Sequence, residues 1–259
     1  MDRKKYKKYN SISRASKNRI NLIKQASGEY ITFLDGDDFY IDNSKFGIQI
    51  DILDNPDNKD CVACSHDVDF FYEETGEQKP FISRIWNGNK ITAKQYWSKL
   101  YFPAFSFIFR NIFNQNFPAT FNQNFFDDNL ITFYFLKFGS IFYIPKIMSC
   151  YTQTKDSIWG EKSKIEQEIL NLMDYDMELQ IAPEFANLSL MRHFGNYKFL
   201  YKNRKKISED LIDKYCVLAK ASGCESLIGL FHYKNSLTDL HRAIKYYYLS
   251  IKYKINQSK

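Results

Sequence analysis

The segment GEYITFLDGDDFY at residues 28–40 joins an apolar, strand-like run to three carboxylates within four positions. Its first part, EYITFL, is rich in the β-branched and aromatic residues that are typical of a buried strand. Carboxylates this close disfavour one another's ionisation unless a cation or a basic group lies among them. The fold must therefore bring this turn either to bulk water or to a compensating positive charge.

Two interpretations of the DGDD turn stay open at this level, and a third is excluded. Asp-Gly is a frequent hairpin turn between two strands. A calcium-binding EF-hand loop is excluded, because counting from Asp35 puts phenylalanines at ligand positions five and twelve. In the remaining interpretation, Asp35 and Asp37 offer oxygen ligands to Mg²⁺ or Mn²⁺, Gly36 allows close approach of a ligand, and a phosphorylated substrate completes the shell.

The turn follows a predicted helix and a predicted strand. Residues 16–27 place Ile20, Ile23 and Ala26 at helical spacing, with Ser16 as a candidate N-cap and Gly28 as a stop. A helix, a glycine, a strand and an acidic turn in this order are typical of an α/β domain whose site lies at the carboxyl ends of strands.

The rest of the chain continues this pattern and then changes. Strands are predicted at 60–72, 106–113 and 141–151, and helices at 92–101 and 127–138. From about residue 160 the periodicity is helical throughout. We therefore expect an α/β domain over 1–160 and a helical region over 161–259.

A second acidic cluster, Asp127-Asp128, opens the helix predicted at 127–138. One aspartate suffices as an N-cap, which stabilises a helix by about 1 kcal/mol. The other is left without a structural role, and a carboxylate held at a helix start can act as a general base towards a hydroxyl.

Cysteine chemistry is not predicted to carry the function. Cys61 and Cys64, with His66 nearby, resemble a metal or redox motif, but residues i and i+3 of a strand face opposite sides. They are more typical of small apolar core residues. The odd total of five cysteines, with no signal peptide and no apolar run long enough to span a bilayer, favours a cytoplasmic location.

Positive charge is concentrated at the two ends of a chain whose net charge is +6. The simplest interpretation is a solvated helical face, and the alternatives are contacts with anionic lipid or phosphorylated molecules. A basic helix around Tyr246-Tyr247-Tyr248 could make a peripheral contact with the inner face of a membrane. No recognised nucleic-acid motif accompanies these charges, and we expect no nucleic-acid partner.

The run SRASKNRINLIKQASGEYITFLDGDD at residues 13–38 resembles the central motif of family 2 glycosyltransferases of the GT-A fold. Lys17-Asn18 stands where that family has a basic residue followed by Asn. SFIFRNIF at 106–113 and FFDDNLITFYFLKFGSIFYIP at 125–145 resemble later segments of the family, in the expected order. The resemblance covers roughly residues 10–160.

The resemblance implies a role for each acidic residue. Asp35, Asp37 and Asp38 would bind the cation and the ribose-diphosphate of a nucleotide sugar, with Asp37 and Asp35 as the ligands of Mn²⁺ or Mg²⁺. Lys17 and Asn18 would belong to the same donor site. Asp128 would be the base that deprotonates the acceptor hydroxyl in an inverting displacement, and Asp127 would replace the usual Glu.

The chain also departs from the family pattern. Thr152 and Thr154 replace the usual Arg and His after Tyr151. The family opens with a strand, a helix and a strand that bind the nucleobase, whereas this sequence begins just upstream of the central helix. We therefore expect a partial GT-A (Rossmann-like) mixed sheet with flanking helices, followed by a helical C-terminal region.

Two functions are compatible with this pattern. The first is transfer of a sugar from a nucleotide-sugar donor, a UDP-sugar by preference, to a hydroxyl of a glycan or lipid-linked glycan acceptor, in bacterial surface-glycan (capsule or lipo-oligosaccharide) synthesis. The alternative is an inactive glycosyltransferase remnant that acts as a binding or partner module.

Overall fold

A computed structural model describes residues 11–81, 89–96, 101–113, 117–118, 121, 124–154 and 159–224. The chain divides into two compact units. The sheet unit comprises Asn18–Ala119 and Phe126–Glu161, and the helical unit comprises Met1–Lys17, Thr120–Phe125 and Lys162–Lys259. None of the described helices is both long and apolar enough to span a bilayer.

Seven strands within the described residues form one mixed sheet in the sheet unit. Along the main path their order is β1-β6-β3-β7-β2, with β4 paired to β3 and β5 paired to β7. The β3–β7 pair is parallel and the other pairs are antiparallel. The strands are β1 (Tyr30–Ile31), β2 (Phe39–Tyr40), β3 (Cys61–Tyr72), β4 (Glu77–Pro80), β5 (Lys90–Ile91), β6 (Ile108–Arg110) and β7 (Ser140–Gln153).

A bulge in β7 brings its second half beside the acidic turn. The β3–β7 register jumps from His66↔Ile144 to Asp67↔Ile147. Pro145 lies in the skipped stretch, as expected for a residue that cannot donate to the sheet ladder. Beyond the bulge β7 also pairs with β2, which directly follows the DGDD turn.

The helices outside the C-terminal region are α1 (Ser11–Gln25), α2 (Lys45–Asp54), α3 (Ala93–Tyr96) and α4 (Asp128–Phe138). Helix α4 packs on the sheet through aromatic contacts, with the ring centroids of Phe135 and Phe109 4.6 Å apart. It ends at Gly139, where an added Cβ would lie 2.3 Å from the Asp60 carbonyl oxygen. Glycine at this position therefore permits the close approach of α4 to β3.

The helical unit contains α5 (Lys164–Ile181), α6 (Ala186–Asn203) and α7 (Glu209–Ser222). Helix α5 opens with a capping box between Ser163 and Glu166. Between α5 and α6, fully buried Glu178 lies 3.2 Å from His193 Nε2 and accepts a hydrogen bond from Ser189. The expected class, an α/β mixed sheet with flanking helices followed by a helical region, is confirmed, while the segment around Tyr246 lies outside the described residues.

The predicted start of the first helix was wrong. Helix α1 is already present at Ser11, so Ser16 lies inside it rather than at its N-cap. With a helical turn before it, the Ser16 hydroxyl donates to the Ile12 carbonyl at 2.9 Å instead of capping. This is the i−4 bond that serine makes within helices.

The strand predicted for EYITFL is shorter than expected. Only Tyr30 and Ile31 pair with β6, because β6 itself covers three residues and gives way to a 3₁₀ turn at Ala104–Ser106. The Thr32 hydroxyl continues the contact by donating to the Phe107 carbonyl at 2.6 Å. The strand at 106–113 is likewise reduced to Ile108–Arg110. Of the helix predicted at 92–101, Ala93–Tyr96 is present, and 97–100 lies outside the described residues.

Candidate functional site

The DGDD segment forms a tight turn, in which the Asp38 amide donates to the Asp35 carbonyl at 3.2 Å. The hairpin interpretation was wrong, since β1 before the turn pairs with β6 and β2 after it pairs with β7. A Cβ added at Gly36 would meet no atom within 4 Å. The fold therefore leaves open space above this position, next to the exposed side chains of Asp35 and Asp37.

Asp38 faces the other way, into the protein. Its Oδ1 accepts a hydrogen bond from the Thr152 amide at 2.9 Å, and the Thr152 hydroxyl donates to the Asp37 carbonyl. Burial, opposed by the Thr152 bond and assisted by the charges of Asp37 and Asp35, raises the pKa of Asp38 to about 7. Its Oδ2 is buried without a hydrogen-bond partner. The hydrogen bond to Asp38 thus connects the turn to β7, while the side chains of Asp35 and Asp37 are exposed to solvent.

The two aspartates of the second acidic cluster make different contacts. Asp127 is the N-cap of α4, and its carboxylate accepts from the Leu130 amide at 3.1 Å. The Asp128 carboxylate does not cap the helix. Its Oδ2 accepts hydrogen bonds from the Ala104 amide at 2.8 Å and from the Tyr101 hydroxyl at 3.3 Å.

Arg19 joins the two clusters. Its Nη1 lies 2.6 Å from Asp128 Oδ1, and its Nη2 lies 3.4 Å from Asp35 Oδ2. Burial acts to lower the pKa of Arg19, but the charges of Asp128 and Asp35 outweigh it and raise the pKa above its ordinary value. The fold therefore brings Asp35 and Asp128, which are far apart in the sequence, to one guanidinium.

Sequence reasoning missed Arg19 and pointed to its neighbours instead. Lys17 and Asn18 are half-buried on α1, and Asn18 Oδ1 is buried without a hydrogen-bond partner. The signal that could have found Arg19 is its place in the motif: it is a third basic or amide side chain within one helical turn, just ahead of the acidic strand end.

Two tyrosine side chains lie near the carboxylates. The Tyr151 ring stacks on Phe105 with centroids 6.0 Å apart. Burial, followed by the negative charges of Asp128 and Asp38, raises the pKa of Tyr151 to about 12. Burial and Asp128 also raise the pKa of Tyr101 well above its ordinary value. Both phenols are therefore neutral near pH 7, and their rings strengthen charge interactions by excluding water.

The donor set on the turn fits a hard divalent cation. Within the described residues no three His, Cys, Asp or Glu side chains converge as a ready-made metal cage. Mg²⁺ needs only one or two carboxylates when phosphates and water supply the other ligands. Burial raises the pKa of Asp35, Arg19 opposes the shift, and Asp128 and Asp37 add to it, so this carboxylate gains from an added cation. Asp35 and Asp37 are the residues that would hold the ion.

The CxxC segment lies in the centre of the sheet. Cys61 and Cys64 are fully buried on β3. Burial raises the pKa of Cys64 to about 12 and lowers the pKa of His66 to about 3. These side chains are neutral core groups.

Part of the chain that carries these motifs matches a known protein family. Residues 3–117 match the family model described as "Glycosyl transferase family 2". The match includes the DGDD turn and Arg19 and ends before Asp127. No curated protein matches the chain. The segment 3–117, which carries the DGDD turn and Arg19, is therefore similar to glycosyl transferase family 2.

Proposed function

We propose that this glycosyltransferase moves a sugar from a nucleotide sugar, preferably a UDP-sugar, to a hydroxyl of a glycan or lipid-linked acceptor in bacterial surface-glycan synthesis. One observation carries the proposal. Two exposed carboxylates suited to a cation–diphosphate group, Asp35 and Asp37, share a site with Asp128, a carboxylate suited to accept a proton.

Asp128 is the proposed general base. Its position is fixed by the first turn of α4, which Asp127 caps, and by the hydrogen bonds from Ala104 and Tyr101. It would accept the proton of the acceptor hydroxyl as that oxygen attacks the anomeric carbon. Inversion at that carbon follows from the family resemblance.

We propose that the nucleotide-sugar donor binds at the DGDD turn. Asp35 and Asp37 would hold Mn²⁺ or Mg²⁺, which when bound stabilises negative charge on the departing nucleoside diphosphate. Asp38 and Thr152 keep the turn in place beneath the donor. Lys17 and Asn18 are proposed to contribute to donor binding, and the whole reaction is proposed to occur in the cytoplasm, at the inner face of the membrane.

The alternative, an inactive binding module, is favoured by one feature. Asp128 already receives three donors, from Arg19, Ala104 and Tyr101. Three of the roughly four acceptor positions of this carboxylate are then occupied, which leaves little room for the hydroxyl of an acceptor. A module of this kind would bind a nucleotide without turning it over.

Release of nucleoside diphosphate distinguishes the two functions. We would incubate the full chain with UDP- and GDP-sugars and Mn²⁺, in the parent form and as Asp37→Ala. We expect release by the parent and a loss of at least about a hundredfold in the variant, the size typical of removing one transition-state charge interaction.

Asp51→Ala is the matched control, because Asp51 is an exposed carboxylate on α2. It should release diphosphate at the parent rate. A parent chain that binds UDP, keeps its circular dichroism spectrum and releases nothing would establish the binding module instead. Equal rates for the parent and Asp37→Ala would remove Asp37 from the site.

A further inference from the structure

We infer that Arg19 is a positioning residue and the resident counter-ion of this site, and that a divalent cation binding at Asp35 and Asp37 displaces it from Asp35 but not from Asp128. The inference rests on the proposed function, because it takes the metal to bind at the DGDD turn. Under this inference, Arg19 controls when the metal binds at the turn.

The two ion pairs of Arg19 are unequal. The pair with Asp128 is 2.6 Å long and nearly buried, with side chains 15% and 16% exposed. The pair with Asp35 is 3.4 Å long, and the Asp35 side chain is 54% exposed. Solvent-exposed pairs contribute little to stability, whereas breaking a buried pair is strongly unfavourable. A cation approaching from solvent therefore displaces the guanidinium from Asp35 first.

Arg19 is held close to the turn even when that pair opens. Its guanidinium lies 5.7 Å from the centroid of the Phe33 ring, in the segment that leads into DGDD. The pair with Asp128 keeps the charge in place from the other side. A cation on Asp35 would thus have a fixed positive neighbour, which weakens its binding when no anion is present.

The diphosphate of a donor removes this penalty, since it brings negative charge to both cations. We therefore expect Mn²⁺ to bind weakly to the free protein and tightly together with a nucleoside diphosphate. In this arrangement Arg19 links metal binding to the presence of donor, and it keeps the Asp128 carboxylate oriented until the acceptor arrives.

Mn²⁺ binding tests the inference without catalysis. Free Mn²⁺ is measured by its electron paramagnetic resonance signal during titration of the full chain, with and without UDP. Without UDP, the neutral variants Arg19→Met and Arg19→Gln should bind Mn²⁺ about tenfold more tightly than the parent. Arg19→Lys, which keeps the charge, should bind like the parent, and so should Arg14→Met at an exposed arginine of α1.

Turnover separates positioning from a merely structural role. Arg19→Lys should keep the Mn²⁺ affinity and the donor KM of the parent but lose kcat, because an ammonium group does not hold the Asp128 carboxylate in the fixed planar geometry of a guanidinium. Unchanged or weaker Mn²⁺ binding in both neutral variants, with native circular dichroism, would overturn the inference and leave the proposed function standing. A parent that binds no Mn²⁺ even with UDP would overturn the metal part of both.

Discussion

Lys45 is a lysine at a core position of α2. It shares the inner face of the helix with Gln49 and Leu53, and its side chain is 1% exposed. Its Nζ has no hydrogen-bond partner and lies 4.5 Å from the ring centroid of Tyr40 and 4.8 Å from that of Phe46. Burial lowers the pKa of Lys45 from 10.5 to about 7. The ring faces compensate only in part for the lost hydration of the ammonium group.

This burial predicts a pH-dependent stability. The unfolded chain keeps the Lys45 proton up to pH 10.5 while the folded chain loses it near pH 7, so the unfolded state binds more protons between these values. The free energy of unfolding should therefore rise with pH above 7, by up to about 1.4 kcal/mol per unit from this group. Urea denaturation at pH 7, 8 and 9 should show Lys45→Met more stable than the parent at pH 7, with the difference shrinking as the pH rises.

Lys59→Met, at an exposed lysine, provides the control for that series and should follow the parent at each pH. A constant difference between Lys45→Met and the parent across the three pH values would mean that Lys45 is charged in the folded protein over this range.

At the scale of single residues, the sequence identified the carboxylates of the candidate site but not their counter-ion. The charge density of DGDD and the pair at 127–128 are local properties, visible without a fold. Which basic residue of α1 meets them depends on how that helix is rotated against the sheet, and Lys17 and Arg19 differ by two positions. The pairing of Asp38 with Thr152 depends on the β7 bulge, so it could not be predicted from the sequence either.

At the scale of elements, the close contact between the end of α4 and β3 can be tested. Gly139→Ala would place a Cβ 2.3 Å from the Asp60 carbonyl and 3.0 Å from Val62 Cγ1. The backbone φ of 174° is extended and allowed for alanine, so the cost comes from the clash alone. We expect a destabilisation of about 1–3 kcal/mol, as for overpacked cores, measured by urea denaturation.

Gly47→Ala is the matched substitution, because Gly47 lies inside α2 and an added Cβ there meets no atom within 4 Å. It should stabilise the protein by about 1 kcal/mol, since glycine is a poor helix former. If Gly139→Ala left the denaturation midpoint unchanged or raised it, the tight approach at Gly139 would not exist in solution.

Helices and long central strands were predicted better than short strands. Helix α4 carries the mostly apolar run LITFYFL between an N-cap at Asp127 and a stop at Gly139, and β3 is a long strand with apolar residues at both ends, so local signals suffice. The length of β1 depends instead on its partner β6, and strand formation ends where that neighbour turns away. The strand propensity of EYITFL contains no information about the length of β6.

At the scale of the whole molecule, the chain combines two compact units of different character with a net charge of +6. A division near residue 160 remains our proposal for its domain boundary. Within the helical unit, a basic turn closes α6 at Arg204–Lys206, where Lys205 and Lys206 are exposed and Arg204 lies 4.2 Å from the centroid of the Tyr201 ring. The arginine is anchored, and the two lysines face solvent.

Exposed lysines in such a turn should attract an anionic surface, which gives the proposed membrane-borne acceptor a testable consequence. Each lysine near an anionic bilayer contributes about 1 kcal/mol, and salt screens the attraction. The double variant Lys205→Glu, Lys206→Glu should therefore lower binding to phosphatidylglycerol vesicles by at least about tenfold in sedimentation assays. The double variant Lys59→Glu, Lys94→Glu makes the same change of charge at exposed lysines of the sheet unit, so an equal loss there would show that net charge alone drives binding. Binding that persists in 0.5 M salt, or to uncharged vesicles, would contradict an electrostatic contact.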